Sequence, residues 1–504
     1  MSSALDPDLT LITLSQWNDQ KLRRIADNGG GECAAPRTPQ CAPGRRRHEM
    51  LPIFILLYVS SANSLCDGTC FCNYKHADQD YMGETVDCSH RNVDAKVNLT
   101  LPKTIYSLDL SYNNITSIDS SIIFDSSTMV ELYLNRNHIV NLNCSLALPS
   151  LKKLDLSDNS ISKIDGHVFD KLKNLEYLNL ANNKFTSLDK LTFHRLTNLK
   201  EIVLDNNDIG EELRRVNLFD RSGLGLTAKI RSLSIRGVKL NRVPDNFFVD
   251  AYDIRKLVIS NNNITDVFEF PFTLEYLDIS DNPIEIISSE DFADLAGLKV
   301  LKLNNLKITE ISGYMFEPLH SLTSLELERN MNLTKFDAFA FGKEVLEDAD
   351  YFNLEELSVR GSRLTTLDKR LMEPFGRLIK LDLQGNAWSC DCKLYWIKQL
   401  QIPEEYRDHV RCFTPKSLHN ARALELDAKY FSCKIGKGRV GGVVAVVTFC
   451  VILAIIALWI FIYLPRSQSR GNAIRQIHVS TATYSILPGT MPIGTIPMHD
   501  FGSR

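Results

Sequence analysis

Twelve copies of one pattern, LxxLxLxxNxI, occupy residues 105–388. Their first positions are Ile105, Met129, Leu151, Leu175, Leu199, Ile230, Ile254, Leu274, Leu298, Leu322, Leu354 and Leu378, and the commonest step is 24 residues. That period belongs to neither a helix nor an alternating strand. It marks a solenoid of stacked units, none of which buries its own core alone. The LxL of each copy reads as a short strand with both leucines pointing inward, and the following Asn can bond turn backbone so that neighbouring coils stack. This ladder position is Asn in nine copies (Asn113, Asn137, Asn159, Asn183, Asn207, Asn262, Asn282, Asn330 and Asn386) and Val238, Leu306 and Ser362 in the others. Phenylalanines such as Phe169, Phe193, Phe292 and Phe316 recur before the next LxxL and are expected to fill the convex side. The predicted fold class is an α/β solenoid, a curved horseshoe with short parallel strands on its concave face.

Two steps are long: 31 residues between Leu199 and Ile230, and 32 between Leu322 and Leu354. The extra segments, about residues 210–228 and 340–353, are charged and are expected to be solvated loops or extra helical turns; a partner-contacting insertion is the other reading. The ends of a solenoid expose apolar edges and need caps. Cysteines fall where caps belong: Cys66, Cys70, Cys72 and Cys88 before the first copy, Cys390, Cys392, Cys412 and Cys433 after the last. Spacing alone allows three disulfide connectivities per group, or a zinc site. An oxidising compartment favours the disulfides.

Two apolar segments bear on the compartment. Arg45, Arg46 and Arg47 precede an apolar run over residues 51–59, followed by Ala62 and Ser64, the layout of a secretory signal cleaved after Ser64. Met50 stands directly before the run and is expected to be the working start, leaving residues 1–49, with Cys33 and Cys41, as an upstream extension that is disordered or not translated. Residues 440–464 are 25 residues without a charge, long enough for one transmembrane helix, with Trp459 and Tyr463 near one interface. Signal and stop-transfer together predict a single-pass type I protein of the plasma membrane. Its parts are the signal peptide 50–64, an N-terminal cap 65–104, the repeats 105–388, a C-terminal cap 389–433, a juxtamembrane linker 434–439, the span 440–464 and a cytoplasmic tail 465–504.

The chain here resembles the extracellular leucine-rich repeat family with cysteine-rich caps, the group that includes the Toll-like receptor ectodomains and trophoblast glycoprotein. The resemblance covers Leu65 to Cys433 and rests on three features. They are Cys66-Asp67-Gly68-Thr69-Cys70-Phe71-Cys72 with Val86-Asp87-Cys88-Ser89, the repeat itself, and Asn386-Ala387-Trp388-Ser389-Cys390-Asp391-Cys392 with Leu394, Trp396 and Ile397. By resemblance the bonds are Cys66 to Cys72, Cys70 to Cys88, Cys390 to Cys412 and Cys392 to Cys433. The family also implies an ectodomain that binds a protein ligand or cell-surface partner. The chain departs from the group in having Asp67 where Pro is frequent, and a longer interval between Cys72 and Cys88.

Five sequons lie in the expected ectodomain, at Asn98, Asn114, Asn143, Asn263 and Asn332, and are candidate glycosylation sites. Side chains between and beside the strand leucines form the candidate ligand face: Tyr133, Tyr177, Val203, Val258, Tyr276, Glu326 and Glu328. Cys144, inside the sequon Asn143-Cys144-Ser145, is expected to be buried, with an intermolecular disulfide or reactive thiol as the other reading; Cys450 is expected to face lipid. In the tail, Tyr484 and Leu487 fit a tyrosine-based sorting motif, and Gly441 with Ala445 form a small-xxx-small pair consistent with homo- or hetero-dimers. With 57 Lys+Arg against 61 Asp+Glu there is no global basic field, so no nucleic-acid partner is expected. No GxGxxG stands between a strand and a helix, and no phosphate loop, HExxH or nucleophile elbow occurs, so neither enzyme activity nor a cofactor or catalytic metal is expected. Asp109, Asp155, Asp278 and Asp382 recur because the residue between strand leucines faces solvent. The expected function is a cell-surface receptor or adhesion protein. The alternative is a co-receptor that modulates another signalling receptor, innate-immune receptors included, motivated by a 40-residue tail too short for a kinase or a Toll-type signalling domain.

Overall fold

The computed structural model describes residues 70–77, 81–94, 104–118, 126–189, 191–220, 223–431, 433 and 437–463. The expected signal, Cys66, Asn98, Tyr484 and Leu487 lie outside the described residues. The backbone builds one 14-stranded sheet whose strands follow chain order. Phe71–Ala77 and Tyr81–Asp87 pair antiparallel, and every later strand of this sheet joins in parallel, from Ile105–Asp109 to Lys380–Asp382. Each copy of the repeat supplies one parallel strand.

The strands are short because only a few residues per coil alternate strictly. In Lys153–Asp155, Leu154 is buried while its neighbours are half-buried on the opposite face, and Leu151 and Leu156 are fully buried beside it. Strand geometry sends alternate side chains to opposite faces, and parallel register sets Leu132, Leu154, Leu178 and Ile202 in one row. Each such leucine contributes roughly 1.5–3 kcal/mol when fully buried, but only neighbouring coils can bury it.

The ladder residues tie the coils together. Nδ2 of Asn137 donates to the Leu110 carbonyl one coil back at 2.9 Å and to Leu134 of its own coil at 3.0 Å. Its Oδ1 accepts the Ile115 N–H at 3.0 Å. Asn159 repeats the arrangement with Leu134, Leu156 and Ile139. In each copy the residue just before the ladder position has positive φ, for example Asp158 at 52°, Asn182 at 54°, Gly237 at 64° and Gly385 at 66°. Asn, Asp and Gly tolerate this left-handed conformation best, which explains their frequency there. Where Asn is missing, the Ser362 hydroxyl donates to the Leu327 carbonyl at 3.1 Å, while Val238 and Leu306 are simply buried.

The opposite side of the coils is packed by phenylalanine. Phe169, Phe193, Phe292 and Phe316 are buried. The last two belong to a column of ring contacts from Phe219 through Phe248, Phe268, Phe270, Phe292, Phe316 and Phe341 to Phe375, with successive centroids 4.7 to 6.5 Å apart. The long step after Leu199 is not a solvated loop throughout. Gly210–Leu213 forms a helical turn, and Leu213, Leu218, Phe219, Leu224 and Leu226 are buried, so its apolar residues extend the core despite the surrounding charges. Gly210 has no substitute there, because a Cβ would sit 2.4 Å from the Lys239 carbonyl oxygen. The second long step contains the turns Glu344–Glu347 and Ala349–Tyr351, with Ala340 and Val345 buried.

Disulfides join Cys70 to Cys88, Cys390 to Cys412 and Cys392 to Cys433. Cys72 is disulfide-bonded as well. Sulfurs so bonded are not zinc ligands. At the C-terminal end Trp388 is fully buried and donates from Nε1 to the Leu383 carbonyl at 2.8 Å.

The last helix is Lys437–Tyr463. Taken over the described residues, no helix is long and apolar enough to cross a membrane. The described side chains of this helix start only at Ala445, although its backbone is helical over all 27 residues.

Replacing Asn159 by Ala strands buried polar groups of two coils, each costing about 1–3 kcal/mol when left unsatisfied. Denaturant unfolding of Asn159→Ala should show a loss of about 3 kcal/mol or more, whereas an effect below about 0.5 kcal/mol, the usual range of surface substitutions, would contradict the ladder's role.

Candidate ligand-binding face

Parallel register turns the outward side chains of the strands into continuous rows. One row runs Glu131, Lys153, Tyr177, Glu201, and the next runs Asp109, Tyr133, Asp155, Asn179, Val203. Lys153 therefore lies between two tyrosines from different coils, its Nζ 5.0 Å from the Tyr133 ring centre and 5.3 Å from that of Tyr177. The Tyr133 hydroxyl donates to Glu131 at 3.3 Å. Burial costs the Lys153 ammonium some solvation, but Tyr133, Glu131 and Asp155 more than offset this and its pKa is raised. Desolvation, reinforced by Asp155 and Glu201, pushes the Tyr177 phenol up to about 12. The result is a half-buried cluster with two rings braced by one cation.

Further along the face, Tyr276 lies between Lys256 at 5.5 Å and Lys302 at 6.0 Å. Lys302 in turn pairs with Glu326 at 2.8 Å. Glu326 also accepts from Asn304 at 2.8 Å, and Glu328 accepts the Ser358 hydroxyl at 2.8 Å. Val203 and Val258 flank Ser234 in one row, both half-buried. All seven residues singled out from the sequence lie on this face and all are half-buried. They do not form one patch: Tyr133 and Tyr177 share Lys153, whereas Tyr276 and Glu326 share Lys302. The lysines organising both clusters were not legible from their own coils, since their ring partners come from neighbouring ones.

The recurring aspartates need a correction. They are not there merely because the position faces solvent. Asp109, Asp155, Asp278 and Asp382 each accept the backbone N–H two residues on, at 2.8 to 3.0 Å, and so fix the turn that leaves the strand. Asp382 is itself buried, and desolvation raises its pKa. Asp205, which sequence reading passed over, accepts the Ser234 hydroxyl at 2.6 Å and the Arg236 N–H at 2.8 Å, bridging two coils; burial raises its pKa too. Among the described residues no group of His, Cys, Asp and Glu side chains is placed to hold a metal ion.

Asn114, Asn143, Asn263 and Asn332 are exposed and lie outside the sheet's strands. Cys144 is not buried as expected but half-buried, its thiol donating to the Ile118 carbonyl at 3.2 Å, because it falls in the turn after Leu142 rather than at an inward position.

The leucine rich repeat family model matches residues 103–161, 149–209 and 272–331. Nephrocan of Mus musculus is 29% identical over 137 residues, covering 25% of this chain and 27% of that protein. Tsukushi of Gallus gallus is 28% identical over 173 residues, 34% of this chain and 44% of that protein. Trophoblast glycoprotein of Macaca fascicularis is 22% identical over 236 residues, 41% and 54% respectively. The chain thus matches roughly a quarter to a half of the length of these relatives. Among solved structures, that of the TLR13-ssRNA13 complex is similar with a TM-score of 0.43 at 18% identity, covering 65% of this chain and 54% of that one.

The shifted phenol gives a direct check on the tyrosine cluster. Because the folded-state pKa lies above the ordinary 10, the unfolded chain releases this proton first, so the group's contribution to stability is present below pH 10 and is lost as pH rises to about 12. Ultraviolet titration should show one phenolate forming near pH 12 that Tyr177→Phe removes; an unchanged high-pH step in the variant would refute the assignment.

Proposed function

We propose that this chain, a leucine-rich repeat protein with disulfide-bonded ends, is a single-pass type I receptor or adhesion protein of the cell surface whose strand face binds a protein ligand. The observation that carries this reading is the cluster of Tyr133, Lys153 and Tyr177. Tyrosines held in place lose little conformational freedom on binding and present both an apolar ring and a polar tip, which is why they serve as interface anchors. The acids and lysines around them favour one partner over others by charge pattern. Lys153 sits between Glu131 and Tyr177 along its row rather than in a basic track. The partner is therefore a protein rather than a nucleic acid. Glycans at the exposed asparagines would leave the strands uncovered. The aspartates act on backbone turns, and the role assigned to the face is binding.

The membrane assignment rests on the sequence, whose 25-residue uncharged run is long enough for one transmembrane helix. Residues 440–464 carry no charge, and the charged residues flanking them belong at the interfaces. The signal sequence then puts the repeats outside.

Two measurements test the proposal. In a screen of cell-surface and secreted proteins against cells bearing the full chain, Tyr133→Ala with Tyr177→Ala should weaken capture of the bound protein tenfold or more, about 1.4 kcal/mol. Equal binding by the variant would count against the strand face. N-terminal sequencing and glycosidase treatment of the protein from intact cells should give a start at Leu65 and a drop in mass; a start at Met1 with no drop would exclude the extracellular placement.

A further inference from the structure

We propose that the side of the solenoid away from the strands carries a second docking groove, at the coil between Ile254 and Leu274, for a peptide segment that joins an aromatic or aliphatic anchor to basic residues. This inference does not depend on the function assigned to the strand face. The step between those residues is 20, against the common 24. Its strand still registers with both neighbours, so the missing residues come out of the rest of the coil. That leaves a cavity of about 680 Å³ lined by residues of this coil and the one before it.

The phenylalanine column opens at this notch. Phe248 and Phe268 stack 6.0 Å apart and are only partly buried, whereas Phe292 and Phe316 further along the column are fully covered. At the rim, Val249, Tyr252 and Phe272 are 55%, 61% and 67% exposed. Single exposed apolar side chains are ordinary, but three around an open aromatic floor form a contiguous patch of the kind that marks a contact site.

Charge selects the occupant. Asp245, Asp266 and Glu269 line the groove against Arg242 alone, and Arg242 is already paired with Asp245 at 3.3 Å. Asp250 adds a fourth carboxylate beside Tyr252, whose hydroxyl it accepts at 3.2 Å. An excess of negative charge around an apolar notch matches a segment with basic residues flanking its anchor. A second copy of this chain does not fit through the same patch, because a two-fold contact would set these carboxylates against themselves.

The test uses the full chain in neutral-lipid nanodiscs, with empty nanodiscs as blank, and fluorescence anisotropy of three labelled peptides. One alternates arginine with tryptophan and leucine, one has glutamate for arginine, and one has serine for the apolar residues. The first should bind and the other two should not. Phe272→Ser should weaken binding at least tenfold, and Asp266→Asn with Glu269→Gln should weaken it and flatten its salt dependence. Ile379→Ser, which removes an apolar side chain 73% exposed on a distant coil, should change nothing. Thermal unfolding of each variant should match wild type, since the altered side chains are exposed. Equal binding of the glutamate peptide, an equal loss with Ile379→Ser, or self-association abolished by Phe272→Ser would overturn the proposal.

Discussion

Everything in this molecule hangs on hydrogen bonds that cross from one coil to the next. A coil of about two dozen residues has too little interior to hold itself together, and its turn after the strand leaves backbone groups pointing inward where water cannot reach them. The ladder asparagines supply both missing partners at once: an amide that donates to carbonyls of two coils and an oxygen that accepts an N–H of the coil before. Position is thereby transmitted along the chain. A strand whose neighbour is fixed has its register fixed, and so do the side chains that it turns outward.

Function follows from that transmission. Tyr133, Lys153 and Tyr177 come from three successive coils and meet only because the register is kept without slip. The same constraint acts on the aspartates, each of which stiffens its own turn. The rigid scaffold bears on the binding proposed for this face: with the anchors already ordered in folding, little of that cost would remain for binding.

Much of this architecture was legible in the sequence, since a strict period is a strong signal. Leu154 and Leu156 could be read as inward, Asn159 as a ladder residue, and the tyrosines as outward, from one copy of the pattern. What could not be read depends on relations between copies. Lys153 gains its role from rings one coil away in either direction. Cys144 looks apolar enough to bury, but its register falls in a turn. The buried apolar residues between Gly210 and Ala228 were hidden among charges, and a length count alone could not say whether they fold inward. The short step before Leu274 was visible as a number, yet its consequence, an opened phenylalanine column, exists only once the neighbouring coils are in place. The positive φ before each ladder residue had a faint trace in the Asn, Asp and Gly found there, blurred by Tyr112, Arg136 and Arg329.

The measurement that bears most directly on the central claim is hydroxyl-radical footprinting of the full chain on intact cells, with and without its captured protein ligand. Binding on the strand face predicts that labelling falls at Tyr133 and Tyr177 and is unchanged at Tyr351, which is 68% exposed and lies outside the strands. Unchanged labelling of both strand tyrosines in the saturated complex would contradict the account.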